Sequence, residues 1–205
     1  FNNNGTSVDQ FEYADNHYGD ATPAAPTTDA NSESGTIVPN DGYYFTGWDK
    51  EIAETVTGNA TYIAQYDKRN DLSYTVYYYL NGTTQKVKDA KVVDGKTFEE
   101  EVTETYATID GYTFAGTPDE QTKTITIGAG TNEIIFYYYQ NVTLTANRKT
   151  VTYNGEEQIV SGFTGAPEGA DFSAIEVGAK GIQPNTYPAN FAEGTKGTVD
   201  ATGKY

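Results

Sequence analysis

The chain has 205 residues, 29 acidic against 13 basic side chains, a formal net charge of −16, and neither cysteine nor methionine. The absence of cysteine excludes disulfide frameworks, thiolate metal sites and cysteine nucleophiles. The strong negative charge makes nucleic acid and anionic membrane surfaces poor partners, because there is no surplus of basic side chains to neutralise phosphates.

A seven-residue phrase of the form Asp-Gly-Tyr-x-Phe-x-Gly occurs twice, starting at Asp41 and at Asp110. Each copy precedes an alternating, aromatic run of residues, at 60–66 and at 133–139. Repetition of this kind predicts an array of modules of roughly 65 residues, each too small to be very stable without neighbours. Arrays of this type commonly hold, space or bind other molecules.

The first part of the chain predicts three strands and one long loop. Residues 8–13 predict a short strand, and residues 27–40, almost all small or polar, predict a long exposed loop. The phrase at Tyr43–Trp48 predicts a second strand, in which Gly47 suggests a bulge or a close approach of another backbone segment. Residues 60–66 predict the third strand because bulky and small side chains alternate there.

The middle of the chain begins with a predicted hairpin. Residues 74–80 alternate with bulky side chains on both faces, and Asn81-Gly82 follows directly. Because Asn-Gly suits the positive φ angles of a type I′ turn, residues 83–87 are expected to return antiparallel. A second turn is predicted at Asp94-Gly95.

A short helix is predicted over residues 98–106. Phe98, Val102 and Tyr106 fall at i, i+4 and i+8, which is one face of a helix. Thr97 would cap it, and Glu100 stands three residues later, where its carboxylate can reach the N–H of the cap residue. Strands are then predicted at 112–115, 123–127 and 133–140, which gives a β-grasp-like unit. Large apolar side chains on both faces of residues 133–140 indicate a central strand.

Only Gln140-Asn141 separates this unit from the last predicted module. Residues 142–146 predict a strand, and residues 150–153 and 158–160 predict a hairpin around Asn154-Gly155. The expected fold is mostly β with a short helix, in an elongated arrangement. Two β-grasp-like modules, at 8–68 and 69–140, would precede an incomplete all-β module at 141–205.

A catalytic interpretation finds little support in the sequence. His17 is the single histidine, so no histidine pair for a metal ion is available, and a place in a surface loop is expected for it. The acidic stretches 15–20 and 67–71 lack the ligand spacing of a calcium loop. The glycines at 128–130 precede a predicted strand and indicate a turn, since a dinucleotide site would need a helix there. We therefore expect no catalytic, cofactor-binding or metal residues, no cofactor and no enzymatic activity.

Three aromatic residues are the candidates for ligand binding. Trp48 is the single tryptophan, and Tyr77 and Tyr79 share one face of the predicted strand 74–80. Flat aromatic rings with a polar end can stack on sugars, and the same rings can serve as anchors of a small hydrophobic core. The sequence leaves both interpretations open.

The composition, with 18 tyrosines and neither of the two most easily oxidised side chains, cysteine and methionine, is typical of an exported bacterial surface protein. No run approaches the ~20 apolar residues of a membrane span. We expect the sequence to be a piece of a longer extracellular protein, cell-wall-attached or secreted, whose signal and anchor lie outside it.

Three stretches resemble known repeat families of bacterial surface proteins. Residues 42–49, Gly-Tyr-Tyr-Phe-Thr-Gly-Trp-Asp, followed by the pattern of 56–66, resemble the internalin-type B-repeat, which would span about 8–68. Residues 74–79, 109–116 and 135–138 are similar to the mucin-binding-protein repeat, which would span 72–140. Residues 144–147, 152–155, 185–188 and 200–205 resemble the MBG or YDG repeat, in which a further strand would follow.

These resemblances imply the extracellular repeat region of a Gram-positive-type cell-surface adhesin. It would act as a stalk or spacer, bind host mucin or other glycans as partners, and be monomeric, without membrane insertion or nucleic acid. An accessory, non-catalytic region of a secreted carbohydrate-active enzyme is the alternative, and a structural module without any ligand is a third.

Overall fold

The computed structural model describes residues 11–191, and of Asn190 only the backbone. In this part of the chain the structure is mostly β, with thirteen strands and one short 3₁₀ turn at Pro118–Gln121. The strands are β1 Tyr43–Trp48, β2 Ala64–Lys68, β3 Leu72–Leu80, β4 Lys86–Lys96, β5 Glu101–Thr105, β6 Tyr112–Phe114, β7 Thr122–Thr126, β8 Glu133–Gln140, β9 Thr145–Ala146, β10 Gln158–Ser161, β11 Phe163–Thr164, β12 Val177–Gly181 and β13 Asn190–Phe191.

These strands form five small sheets in the described residues. The four-stranded sheet has the order β4-β3-β8-β6, the three-stranded sheet has the order β10-β12-β13, and β1-β2, β5-β7 and β9-β11 are pairs. In the four-stranded sheet β3 and β8 run parallel, and β6 runs antiparallel to β8. The expectation that residues 133–140 form a central strand is confirmed.

By its internal contacts the described chain divides into two compact units. The first unit consists of residues 11–74, 92–102 and 124–132, and the second of residues 75–91, 103–123 and 133–191. The division into modules at 8–68, 69–140 and 141–205 stays a prediction.

The first unit contains the antiparallel pair β1-β2. Trp48 lies opposite Ala64, and the register shifts between Phe45 and Gly47, so the predicted bulge is confirmed. β2 begins at Ala64 rather than at residue 60, because β1 ends at Trp48 and offers no partner further along. Residues 11–13 form no strand, and residues 8–10 of that predicted strand lie outside the described residues.

The predicted loop 27–40 is irregular, as expected, but it is not wholly exposed. An isolated bridge joins Thr27 to Thr36. Ile37 is 1% exposed and belongs to the core of the first unit, whereas Val38 beside it is 68% exposed. Burying one aliphatic side chain fixes this long segment onto the unit.

The predicted helix at 98–106 is wrong. Residues 97–100 form a turn in which Glu99 has a φ of +64°, and Glu101–Thr105 form strand β5. A spacing of four residues fits a helix, but it is also a multiple of two, and so fits one face of a strand equally well. Val102 is buried between exposed neighbours, which is the alternation of a strand.

The contact expected of the helix cap nevertheless forms. The backbone N–H of Thr97 donates to Oε2 of Glu100 at 2.9 Å, and the N–H of Glu100 donates to the carbonyl of Thr97 at 3.0 Å. Lys96 binds the same carboxylate at 2.8 Å. The hydrogen bond from Lys96 is the main reason that the pKa of Glu100 lies below its usual value, and the hydrogen bond from the Thr97 backbone lowers it further. The pattern that predicted a helix start therefore closes a β-turn.

The turn after β3 is longer than the predicted type I′ hairpin. Gly82 has a φ of +69°, but Asn81 is not among the residues with positive φ, which a type I′ turn requires. The N–H of Leu80 donates to the carbonyl of Gln85 at 2.8 Å. A five-residue connection between neighbouring strands allows only an antiparallel return, so the hairpin exists with a different turn.

No turn occurs at Asp94-Gly95, because β4 continues to Lys96 with Gly95 at a φ of +70° inside it. The predicted strand at 150–153 is also absent, and β10 pairs with β12 instead. At Asn154 the side-chain carbonyl accepts the N–H of Glu156 at 3.0 Å. This local bond offers the backbone an alternative to a two-residue hairpin. The final phrase at 200–205 lies outside the described residues.

Candidate functional site

The alternation of β3 divides its aromatic side chains between two faces. Tyr78 is 4% exposed and packs in the core of the second unit, whereas Tyr77 and Tyr79 are half-buried on the opposite face. Successive side chains of a strand point to opposite faces, so this separation follows from the sequence alone. Two of the three candidate ligand-binding residues therefore share one surface.

The pairing of β3 with β8 adds a third tyrosine to this surface. Tyr79 lies beside Tyr137 in the parallel register, while Tyr138 is buried on the other face at 1% exposure. The rings of Tyr77 and Tyr79 stack with centroids 5.5 Å apart and an interplanar angle of 9°. The rings of Tyr79 and Tyr137 are 6.4 Å apart and tilted by 41°. We call Tyr77, Tyr79 and Tyr137 the tyrosine row.

The row is held in place and is still accessible. Tyr137 is 38% exposed, and the ammonium of Lys86 lies 5.8 Å from the centre of the Tyr77 ring. Burial raises the pKa of Tyr79, and Tyr77, Glu133 and Tyr137 add to this. The Tyr79 hydroxyl is therefore neutral at physiological pH and can donate and accept hydrogen bonds.

Such a row combines apolar ring surface with hydroxyl groups at its edge. A sugar presents an apolar face of C–H groups and a rim of hydroxyls, so an exposed aromatic ring with a polar end matches both. Because Tyr77 and Tyr79 cover each other's facing surfaces, the more open ring of Tyr137 and the edges of the other two are left for a ligand.

The third candidate, Trp48, belongs to the first unit. Its ring packs edge-on against Phe45 at 5.5 Å, and Phe45 packs against Tyr66 at 5.9 Å. Trp48 is half-buried and ends β1 opposite the fully buried Ala64. This environment favours the anchor interpretation over an open stacking surface.

Comparisons with known proteins leave the chain without an assigned relative. No family model, no curated protein and no solved structure matches it. The resemblances to three repeat families therefore depend on the sequence phrases given above, and function must be argued from the site.

Groups for other chemistries are sparse in residues 11–191. The side chain of His17 is 86% exposed, and its Nδ1 lies 3.5 Å from the carboxylate of Asp20 in a surface turn. Within this range no three histidine, aspartate or glutamate side chains converge as metal ligands, and no helix is long and apolar enough to cross a membrane.

The sequence identified Tyr77 and Tyr79 but not Tyr137 as site residues. Alternation within the strand places Tyr137 on one face of β8, but it does not say which strand lies alongside. Only the parallel register with β3 brings Tyr137 next to Tyr79. A search for exposed tyrosines at alternate positions of two central strands would have found all three.

Proposed function

We propose that this chain is part of the extracellular repeat region of a bacterial cell-surface adhesin, cell-wall-attached or secreted, in which the tyrosine row binds a glycan. The observation that carries the proposal is the row itself. Three tyrosines on the outer face of two central strands keep part of their ring surface in contact with water, although apolar surface of this size favours burial.

The strand order supports a β-grasp-like module within the proposed adhesin region. In residues 69–140 the first and last strands, β3 and β8, are parallel and central, with β4 and β6 outside them. The helix of a typical module is replaced by the turn at 97–100 and strand β5. If the tandem modules act as a stalk, we expect the protein to be monomeric. Its small-angle scattering profile should then be that of a rigid, elongated particle.

A glycan array and a mucin pull-down test the binding role directly. The wild type should bind one or more glycans, and Tyr79→Ala should weaken that binding about tenfold or more, because Tyr79 touches both other rings of the row. Tyr44→Ala is the matched control, since Tyr44 is 44% exposed on β1 and lies outside the row. Circular dichroism of each variant checks that the fold is kept.

The outcomes separate the three functions left open by the sequence. Glycan binding that is equally strong in Tyr79→Ala and Tyr44→Ala refutes the row as the site. If the wild type binds no glycan, the binding role is refuted and only the stalk role remains. A catalytic domain encoded next to this segment in the full-length gene would favour an accessory region of a carbohydrate-active enzyme.

A further inference from the structure

A cleft lies in the last part of the described chain, within the second unit. It has a volume of about 900 Å³ and is lined by β10, β12 and the flanking segments 145–151 and 182–189. Clefts that bind small molecules typically have volumes of about 300–1,000 Å³. Five exposed apolar or aromatic side chains line it: Val151, Tyr153, Ile159, Ile182 and Tyr187.

The charged side chains of this part of the chain are sorted around the cleft. Residues 141–191 contain three cationic and five acidic side chains. All three cations line the cleft, namely Arg148, Lys149 and Lys180. Of the acids, Glu156 lines it and Glu157 lies beside Lys180, while Glu168, Asp171 and Glu176 do not line it. In a chain with a net charge of −16, the cleft therefore gathers the cations of this part of the chain.

The cations are only weakly engaged by the protein. Lys149 donates to the side-chain oxygen of Gln158 at 3.3 Å. The ammonium of Lys180 lies 4.0 Å from the carboxylate of Glu157, and the Lys180 side chain is 73% exposed. Arg148 is exposed and forms no ion pair with a residue in the described range. Exposed pairs of this kind are weak, so the cations are available to an anionic ligand.

An aromatic ring in the same cleft is fixed by its surroundings. A Cβ added to Gly181 would lie 2.1 Å from the ring of Tyr187, so the ring packs directly on the Gly181 backbone. The Tyr187 hydroxyl also donates to the carbonyl of Gln183 at 3.3 Å. A ring held in this way loses little conformational freedom when a ligand packs on it.

We propose that this cleft binds a saccharide that carries an anionic group. The rings of Tyr187 and Tyr153 would pack on the apolar face of the sugar, and Arg148 and Lys149 would bind its carboxylate or sulfate. The site is separate from the tyrosine row, and the proposal does not depend on glycan binding there.

Isothermal titration calorimetry with the whole chain tests the proposal. The probes are a hexuronic acid oligosaccharide, the same oligosaccharide with its carboxyl groups reduced to alcohols, and a neutral oligosaccharide bearing sulfate esters. The uronate should bind at least about tenfold more tightly than its reduced form, and added salt should weaken the binding of the uronate. Binding of the sulfated probe instead of the uronate assigns the site to sulfated sugars, and binding of neither overturns the proposal.

Paired charge variants locate the binding in the cleft. Arg148→Gln with Lys149→Gln should weaken binding of the anionic probe about tenfold or more. Lys50→Gln with Lys88→Gln removes the same charge outside the cleft and should leave the affinity for this probe unchanged. Equal weakening by both pairs would mean that the probe is attracted non-specifically to positive charges anywhere on the protein, and this result overturns the proposed site.

Two aromatic variants and a peptide probe complete the test. Tyr187→Ala should lower the affinity for the uronate and for its reduced form by the same factor. Gly181→Ala should have the same effect, because its added Cβ would displace the Tyr187 ring. Unchanged affinities would refute the stacking role. Tyr79→Ala should leave uronate binding intact whether or not the tyrosine row binds a glycan, because Tyr79 lies outside the cleft. A glutamate-rich peptide that binds as tightly as the uronate would overturn the assignment to a sugar.

Discussion

Tyr138 holds the core of the second unit together through its hydroxyl as well as its ring. The hydroxyl accepts the N–H of Ala107 at 3.0 Å and donates to the carbonyl of the same residue at 2.8 Å, while the side chain is 1% exposed. Tyr138→Phe keeps the ring but leaves both backbone groups of Ala107 without this partner. Because an unsatisfied buried polar group destabilises by about 1–3 kcal/mol, we expect the free energy of unfolding at neutral pH to fall by about that amount.

The same hydroxyl makes this contribution dependent on pH. Burial raises the pKa of Tyr138 to about 12 from the ordinary 10.0, with the hydrogen bond to Ala107 opposing the shift. Because the folded pKa is the higher one, the stabilisation is fully present below pH 10 and is lost as the pH rises through about 12. At about 1.4 kcal/mol per unit the upper limit is ~3 kcal/mol, and partial screening by water reduces the expected loss to about 1–2 kcal/mol.

Urea unfolding followed by far-UV circular dichroism measures both effects. The wild type, Tyr138→Phe and the control Tyr137→Phe are compared from neutral pH to about pH 11. Tyr137 is 38% exposed on the neighbouring position of β8, so loss of its hydroxyl should change stability little. The stability gap between the wild type and Tyr138→Phe should narrow above pH 10. A gap that is absent at neutral pH, or that stays constant to alkaline pH, would refute the reasoning.

Two further predictions concern the first unit and the turns. Gly42→Ala should destabilise by about 1–3 kcal/mol, because Gly42 has a φ of +83° and a Cβ there would lie 2.4 Å from the Phe98 ring. Gly111 occupies the same position of the second phrase, with a φ of +79° and open space, so Gly111→Ala should show only the backbone strain in thermal unfolding. Asn132→Ala should lower the free energy of unfolding in urea by about 2–4 kcal/mol, because the Asn132 side chain is 9% exposed and forms hydrogen bonds with three carbonyls and one N–H. The control Thr131→Ala changes an exposed residue and should leave the stability nearly unchanged. An Asn132→Ala protein as stable as Thr131→Ala would contradict this network.

Local patterns in the sequence predicted most of the longer strands. Strands β1, β3, β6, β7 and β8 lie where alternation and the repeated phrase predict them, to within two residues at each end. Alternation is informative here because a half-buried strand must place apolar side chains at every second position. The bulge at Gly47 followed from a glycine in front of a large aromatic residue.

The failures lie where a local pattern fits two structures. Phe98, Val102 and Tyr106 are spaced for a helix and for a strand, and the strand wins because its backbone finds partners in β7. The short motif Thr97–Glu100 closes a helix start or a β-turn with the same hydrogen bond. In both cases tertiary pairing decides between structures of similar local stability.

The sequence by itself determined which side chains share a face of each strand, and so separated Tyr77 and Tyr79 from Tyr78 and Tyr137 from Tyr138. It also determined the charge of the chain and the absence of thiol chemistry. Only the tertiary structure decided which of these faces is buried and that β3 and β8 lie side by side in parallel register, which places Tyr137 next to Tyr79. It also decided that Arg148 and Tyr187 line one cleft. The reason is physical: side-chain direction along a strand is a property of neighbouring residues, whereas strand pairing joins residues far apart in the chain and depends on the packing of the whole unit.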